Sequence, residues 1–212
     1  MSVVTRINSD DVAILLIDHQ SGLFQTVKDI DVTSLRNNVT TLAKIAAIEN
    51  IPVITTASEP NGPNGPLMPE IHKYAPHAVY VPRNGEINSW DTPAFVEAVK
   101  KTGKKKLIIG GVLTSVCVAF PSISAVSEGY EVFAVIDASG DMSTLSSQAT
   151  IARLSLAGVI PISTTGVCSE IQKTWNRPEA LQFAEAYSTV MPNYQAVIES
   201  FLKAETVGSS KK

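Results

Sequence analysis

Apolar residues along this chain alternate between two patterns, continuous short runs and recurrences every three to four positions. Residues 12–17, Val-Ala-Ile-Leu-Leu-Ile, form an unbroken apolar run of the kind found in a strand buried on both faces. Residues 33–50 place Leu35, Val39, Leu42, Ile45 and Ala46 at helical spacing and predict an amphipathic helix. The alternation then repeats. Strands are expected at 52–56, 78–81, 106–109, 131–136 and 159–162, and helices at 92–101, 117–128 and 143–157. Pro93 is acceptable in the first turn of its helix, while Gly129 and Gly158 close theirs. Pro161 assigns the sixth strand to a sheet edge, because it cannot donate to a ladder on both sides. Two further helical stretches, 178–187 and 194–204, end the pattern.

Strands alternating with helices predict an α/β protein with a doubly wound parallel sheet. No linker, repeat or compositional break divides residues 1–212, so a single domain is expected. In such sheets ligands bind beyond the carboxyl ends of the strands. That rule gathers Asp18, Ser58, Glu59, Arg83 and Cys117 at one edge although they are far apart in sequence.

Composition sharpens this picture in two respects. Hydrophobic residues make up 44% of the chain, charged residues only 17%, and the mean hydropathy is +0.13. Such a chain covers its sheet on both faces, buries surface in an oligomer, or does both; both are expected here. The C-terminal residues Tyr187, Val190, Met191, Tyr194, Val197, Ile198, Phe201 and Leu202 are more apolar than a solvated tail, so 178–212 is expected to pack on a neighbouring subunit. The net charge of −3 and pI near 5.6 give no footprint for nucleic acid or an anionic membrane. Met1 to Arg6 do not read as a secretory signal, and two cysteines make no disulfide framework, so a reduced cytoplasmic protein is expected. Lys211 and Lys212 read as a frayed tail.

Residues 107–118, Leu-Ile-Ile-Gly-Gly-Val-Leu-Thr-Ser-Val-Cys-Val, carry the strongest chemical signal. A thiol in the first turn of a helix faces unpaired N–H groups and the positive end of the helix dipole, which favour thiolate. Those groups can also hold the oxyanion formed when a thiolate attacks a carbonyl. The bland alternative is a small buried residue where helix meets sheet. Asp18, directly after the first strand, is a candidate general base or an ordinary cap. Arg83 supplies a fixed positive charge or a surface ion pair. His19 points to the face opposite Asp18 if the strand geometry persists, which favours a structural or pocket-wall role. Residues 59–66, Glu-Pro-Asn-Gly-Pro-Asn-Gly-Pro, read as a shaped loop over the pocket or as a plain connector. No phosphate-cradling glycine motif follows the first strand. Cys168 lacks a nearby basic partner in sequence and is taken as structural; His19, His72 and His77 show no metal-ligand spacing, and no metal or cofactor is expected.

Taken together, Leu16-Ile17-Asp18-His19-Gln20, residues 62–67, residues 84–91 and the G-V-L-T-S-V-C-V segment at 111–118 resemble the isochorismatase-like cysteine hydrolase superfamily, particularly its YcaC-like branch. The resemblance covers most of the chain. It implies a three-layer α/β/α sandwich around a six-stranded parallel sheet, and a catalytic triad falling on Asp18, Arg83 and Cys117. It also implies a cis peptide at Val112–Leu113 and an oxyanion site at Leu113 and Cys117. His19, Phe24, Glu59, Asn88, Trp90 and Thr114 are the expected pocket residues. Arg83 stands where the superfamily commonly has lysine; arginine keeps the charge but does not exchange a proton near neutral pH. Ser115 replaces a frequent acidic residue, and 59–66 lack the D-x-H cluster of zinc-dependent nicotinamidases. The implied activity is hydrolysis of a C–N bond in a small amide or nitrile-like compound through a thioester. A binding or assembly protein on the same fold, or a metal-dependent amidase, are the alternatives. The branch implies an octamer.

Overall fold

The computed structural model describes residues 6–209. The readings of the N-terminal segment before Arg6 and of Lys211 and Lys212 lie outside the described residues. The strands are β1 (Val12–Ile17), β2 (Val53–Ala57), β3 (Val79–Pro82), β4 (Lys106–Gly111), β5 (Glu131–Val135) and β6 (Ile160–Ile162). The helices are α1 (Ser21–Phe24), α2 (Val32–Ile48), α3 (Glu70–Tyr74), α4 (Pro93–Lys101), α5 (Ala119–Ser127), α6 (Thr144–Leu156), α7 (Thr164–Gln172), α8 (Ala180–Val190) and α9 (Pro192–Ser209). Among the described residues the strands form one parallel sheet in the order β3-β2-β1-β4-β5-β6.

Strand β1 shows why the sheet is covered on both sides. Val12, Ile14 and Leu16 join one buried cluster with Leu35, Val39 and Leu42 of α2 and Phe183 of α8. Ala13, Leu15 and Ile17 join the other, with Phe95 and Val99 of α4, Ala125 of α5 and Leu154 of α6. Successive strand residues face opposite ways, so an all-apolar strand requires helices on both faces. The three-layer architecture follows directly.

From β1 the chain winds outward through β2 to β3, then returns to β4 on the other side of β1. The strand order therefore reverses between β1 and β4, and ligand crevices form at such switch points. Gly111 is needed there for a steric reason. It pairs with Ile17, and a Cβ on it would stand 2.6 Å from the Ile17 carbonyl oxygen.

The sequence reading and the structure part in several places, the short helices α1 and α3 among them. The segment expected to begin a helix at Cys117 instead forms a single π-turn, Thr114–Val118, and α5 starts at Ala119. Pro121 has no N–H to give the Cys117 carbonyl four residues earlier, which removes an α-type bond there. Helix α7 was not anticipated, because Thr164-Thr165-Gly166-Val167 has weak helix propensity. It is secured from outside: Asp137 Oδ1 accepts both the N–H (2.7 Å) and the hydroxyl (2.8 Å) of Thr164, and Ser163 Oγ accepts the Gly166 N–H. Finally, α8 is not a free extension, since Phe183, Ala186 and Tyr187 are buried within the chain's own core. No described helix is long and apolar enough to cross a membrane.

Candidate active site

The site forms where β1 and β4 end. Asp18 follows β1 with φ 57°, a left-handed conformation that aspartate tolerates better than most residues. Its N–H donates to Thr56 O (3.0 Å) and its carbonyl accepts the Gln20 N–H (2.8 Å). Arg83, just past the end of β3, reaches the Asp18 side chain across the end of β2: its Nη2 donates to Asp18 Oδ1, Nε to Thr56 Oγ1 (3.1 Å) and Nη1 to Glu86 O (2.9 Å). The two side chains are fully buried as an ion pair. All three guanidinium nitrogens are committed, so Arg83 acts as a fixed charge.

The third group is Cys117, 8% exposed and on the π-turn. Its thiol lies close enough to the Asp18 carboxyl group and to the Leu113 backbone for each to shift its acidity. The Val112–Leu113 bond is cis. The structure thus brings Asp18, Arg83 and Cys117 into one buried cluster.

Its electrostatics differ from the sequence expectation. Burial pushes the Cys117 thiol well above its ordinary value, and the negative Asp18 adds to this; the Leu113 backbone and Arg83 pull it down less strongly. Burial also raises the Asp18 carboxyl, against the lowering effect of Arg83. The expectation of a resting thiolate is therefore reversed. The amides expected to face the sulfur do not offset that burial, because they are occupied. Thr114 N–H donates to Gly140 O (2.8 Å), Ser115 N–H to Asp141 Oδ2 (2.8 Å), and Cys117 N–H to Leu113 O (2.8 Å). The Cys117 amide is thus engaged within the turn, and Leu113 is the backbone group at the sulfur.

The remaining expected pocket residues are dispersed. His19 is fully buried with Nε2 2.9 Å from Ala138 O; a carbonyl only accepts, so Nε2 carries the proton. Burial lowers its pKa to about 4, so it is neutral near pH 7. Phe24 is buried beside it, under the Arg36 guanidinium. Asn88 accepts the Trp90 N–H, and its amide donates to Ser124 Oγ (3.3 Å) on α5. Trp90 packs edge-on against Phe95 and Tyr130 and donates its indole N–H to Glu128, at the far end of α5 from Cys117. Trp90 is thus anchored in the core layer under α4 and α5. Thr114 is fully buried, and its hydroxyl has no hydrogen-bond partner among the described residues. Glu59 stays at the rim, exposed, with φ 48° and its carboxylate against Gly85. Cys168 lies in α7, its thiol pushed up to about 12 chiefly by burial. Among the described residues no group of three or more His, Cys, Asp or Glu is arranged to hold a metal ion.

Two contributors carried no role in the sequence reading. Gln20 is fully buried and clamps the 58–66 loop, donating to Ser58 O (3.0 Å) and Gly65 O (2.6 Å) and accepting the Ser58 N–H (3.0 Å). Its signal was its position two residues after Asp18, on the same face if the strand continues. Asp141, also fully buried, had no local signal at all.

Comparison with known proteins places the chain in a family. Residues 12–166 match the isochorismatase domain model. The chain is 44% identical over 196 residues to the probable hydrolase YcaC of Escherichia coli K12, covering 92% of this chain and 94% of that one. The crystal structure of Escherichia coli YcaC, described as an octameric hydrolase of unknown specificity, superposes with a TM-score of 0.92 at 42% identity, covering 96% and 100% of the two chains. YcaC from Pseudomonas aeruginosa, described with hexane-2,5-diol and covalent acrylamide, gives 0.90 at 44% identity, covering 95% and 99%. The chain belongs to the isochorismatase family of hydrolases, in its YcaC-like branch.

Proposed function

We propose that the protein is a cysteine-dependent hydrolase that cleaves a C–N bond in a small amide or nitrile-like compound. The observation that carries this reading is the burial of the Cys117 thiol against the Asp18 carboxyl group, itself paired with Arg83. A carboxylate raised by burial is a better proton acceptor than one in water, and a thiol beside it ionises as its proton is taken.

For an amide, Asp18 takes the Cys117 proton as the sulfur bonds to the carbonyl carbon. The oxyanion is held by backbone N–H at Leu113. Collapse breaks the C–N bond, and the proton returns from Asp18 to the leaving nitrogen. Water, deprotonated by Asp18, then attacks the thioester, releasing the acid and restoring the thiol. Arg83 holds Asp18 in place and offsets the charge it carries between steps. The Pseudomonas aeruginosa relative is described with covalent acrylamide, which supports the presence of a reactive nucleophile in proteins of this branch.

Turnover of a panel of small amides and nitriles by wild type and Cys117→Ala tests the reading. The variant is expected to lose about a thousandfold or more in rate, and mass spectrometry of quenched wild type should show an acyl adduct on the Cys117 peptide. Equal turnover by both proteins would remove Cys117 from the reaction. A thiol that alkylates with an ordinary midpoint near about 8.5, with no turnover of any panel member, would favour a binding protein on this fold.

A further inference from the structure

Four successive residues after β5 each hold a different part of the site. Ala138 O accepts from His19 Nε2 (2.9 Å), beside the candidate base. Ser139 Oγ accepts the Gly111 N–H (3.2 Å), Gly140 O the Thr114 N–H (2.8 Å), and Asp141 Oδ2 the Ser115 N–H (2.8 Å). The brace therefore runs alongside the segment from the end of β4 to the π-turn. Its last member differs from the rest because it acts through a buried carboxyl group. Asp141 is fully buried, and its other oxygen, Oδ1, accepts the Met142 N–H (2.8 Å). Its backbone is tied in turn: the N–H donates to Asp29 Oδ1 (2.7 Å) and the carbonyl accepts the Lys28 N–H (2.8 Å).

We propose that Asp141 is the positioning residue of the nucleophile turn, fixing the Ser115 amide so that the Cys117 thiol stays seated against Asp18. Two amide donors aimed at two oxygens require an acceptor at both positions. Aspartate supplies them, and no neutral side chain of the same shape does. The turn needs such an external hold because its own bonding is concentrated on one atom. The N–H groups of Val116 (3.2 Å), Cys117 (2.8 Å) and Val118 (3.3 Å) all converge on Leu113 O, which leaves Thr114 and Ser115 to be satisfied from outside. The assignment rests on the cysteine-hydrolase reading only for its effect on turnover; seating of the thiol is measurable without a substrate.

The test compares wild type with Asp141→Asn, which keeps the side-chain shape but offers one acceptor oxygen. Iodoacetamide labelling of each cysteine is followed against pH by mass spectrometry. Cys168, fully buried in α7, reports general opening. The expected result is a Cys117 labelling midpoint that moves down toward about 8.5, the value of an unperturbed thiol, while Cys168 stays protected. On any amide that wild type turns over, kcat should fall about tenfold or more, with KM within about threefold, the pattern of a lost transition-state interaction. An unchanged Cys117 midpoint with Cys168 protected overturns the assignment, whether or not a substrate is found. If both cysteines open together, Asp29→Ala decides, since it loosens Asp141 without touching its carboxyl group. A smaller downward shift at Cys117 alone supports the assignment, and wild-type labelling overturns it.

Discussion

At the scale of single residues, burial dominates charge at this site. Removing Asp18, Arg83 and Cys117 from water costs more than one ion pair returns, which is why both the carboxyl and the thiol rise. The neighbouring His19 shows the same effect on a base. Its pKa falls from 6.5 to about 4 because the charged form is desolvated, with only the Ala138 carbonyl to favour it. The consequence for stability has a definite sign. Above pH 6.5 His19 is neutral in both folded and unfolded chains. As pH falls from 6.5 toward 4 the unfolded chain takes up the proton first, so stability is lost across that window. The full difference corresponds to about 3 kcal/mol. Asp18 works in the opposite direction, since its raised pKa favours the folded chain as pH falls, and a comparison of variants separates the two. Urea midpoints of wild type and His19→Gln at pH 7 and pH 4 should show wild type losing more stability on acidification. Parallel losses in the two proteins would mean that His19 is charged in the fold.

At the scale of elements, the site depends on segments held by side chains from elsewhere. The 58–66 loop is rich in proline and glycine, has little regular structure, and hangs on Gln20. Gln20→Ala leaves three backbone groups of Ser58 and Gly65 without that partner, and is expected to cost about 1–3 kcal/mol. Limited proteolysis should then cut within 58–66 at protease levels that leave wild type intact, and an uncut loop with an unchanged urea midpoint would show that the clamp is dispensable. This dependence on distant partners also explains what could be read from the sequence. Strand β1 was found at its observed limits, because a run buried on both faces declares itself in its own six residues. Asp18, Arg83 and Cys117 were gathered by one rule about strand ends. Helix α7 was missed because Asp137, 27 positions away, stabilises its start. The π-turn was missed, with helix expected only from Cys117, because the Thr114 and Ser115 amides that shape it are paired with Gly140 and Asp141 by tertiary contact. Trp90 and Asn88 were placed in the pocket on motif alone, whereas their partners, Glu128 and Ser124, lie along α5.

At the scale of the whole molecule, the apolar surface is unevenly distributed. The sheet's two faces are covered, and α8 completes one of them against α2. Helix α9 covers nothing comparable: none of its residues is buried, and Val197 and Phe201 are each 61% exposed, with Leu202 at 50%. An apolar face of this kind on a free chain invites association. A close relative is described as octameric, and a second copy of this chain is the natural occupant. The cut that tests this must respect α8. Truncation after Arg177 would strip Phe183, Ala186 and Tyr187 from the core and unfold the face beneath them, so any change in mass would be uninterpretable. Truncation after Met191 removes only α9 and the residues beyond it. Light scattering should find the full chain as a closed homo-oligomer at micromolar concentration and the shortened chain as a smaller species, with matching circular dichroism. A monomeric full chain would remove oligomerisation from the account. An unshifted mass for the shortened chain would move the interface off α9 and onto another face of the sandwich.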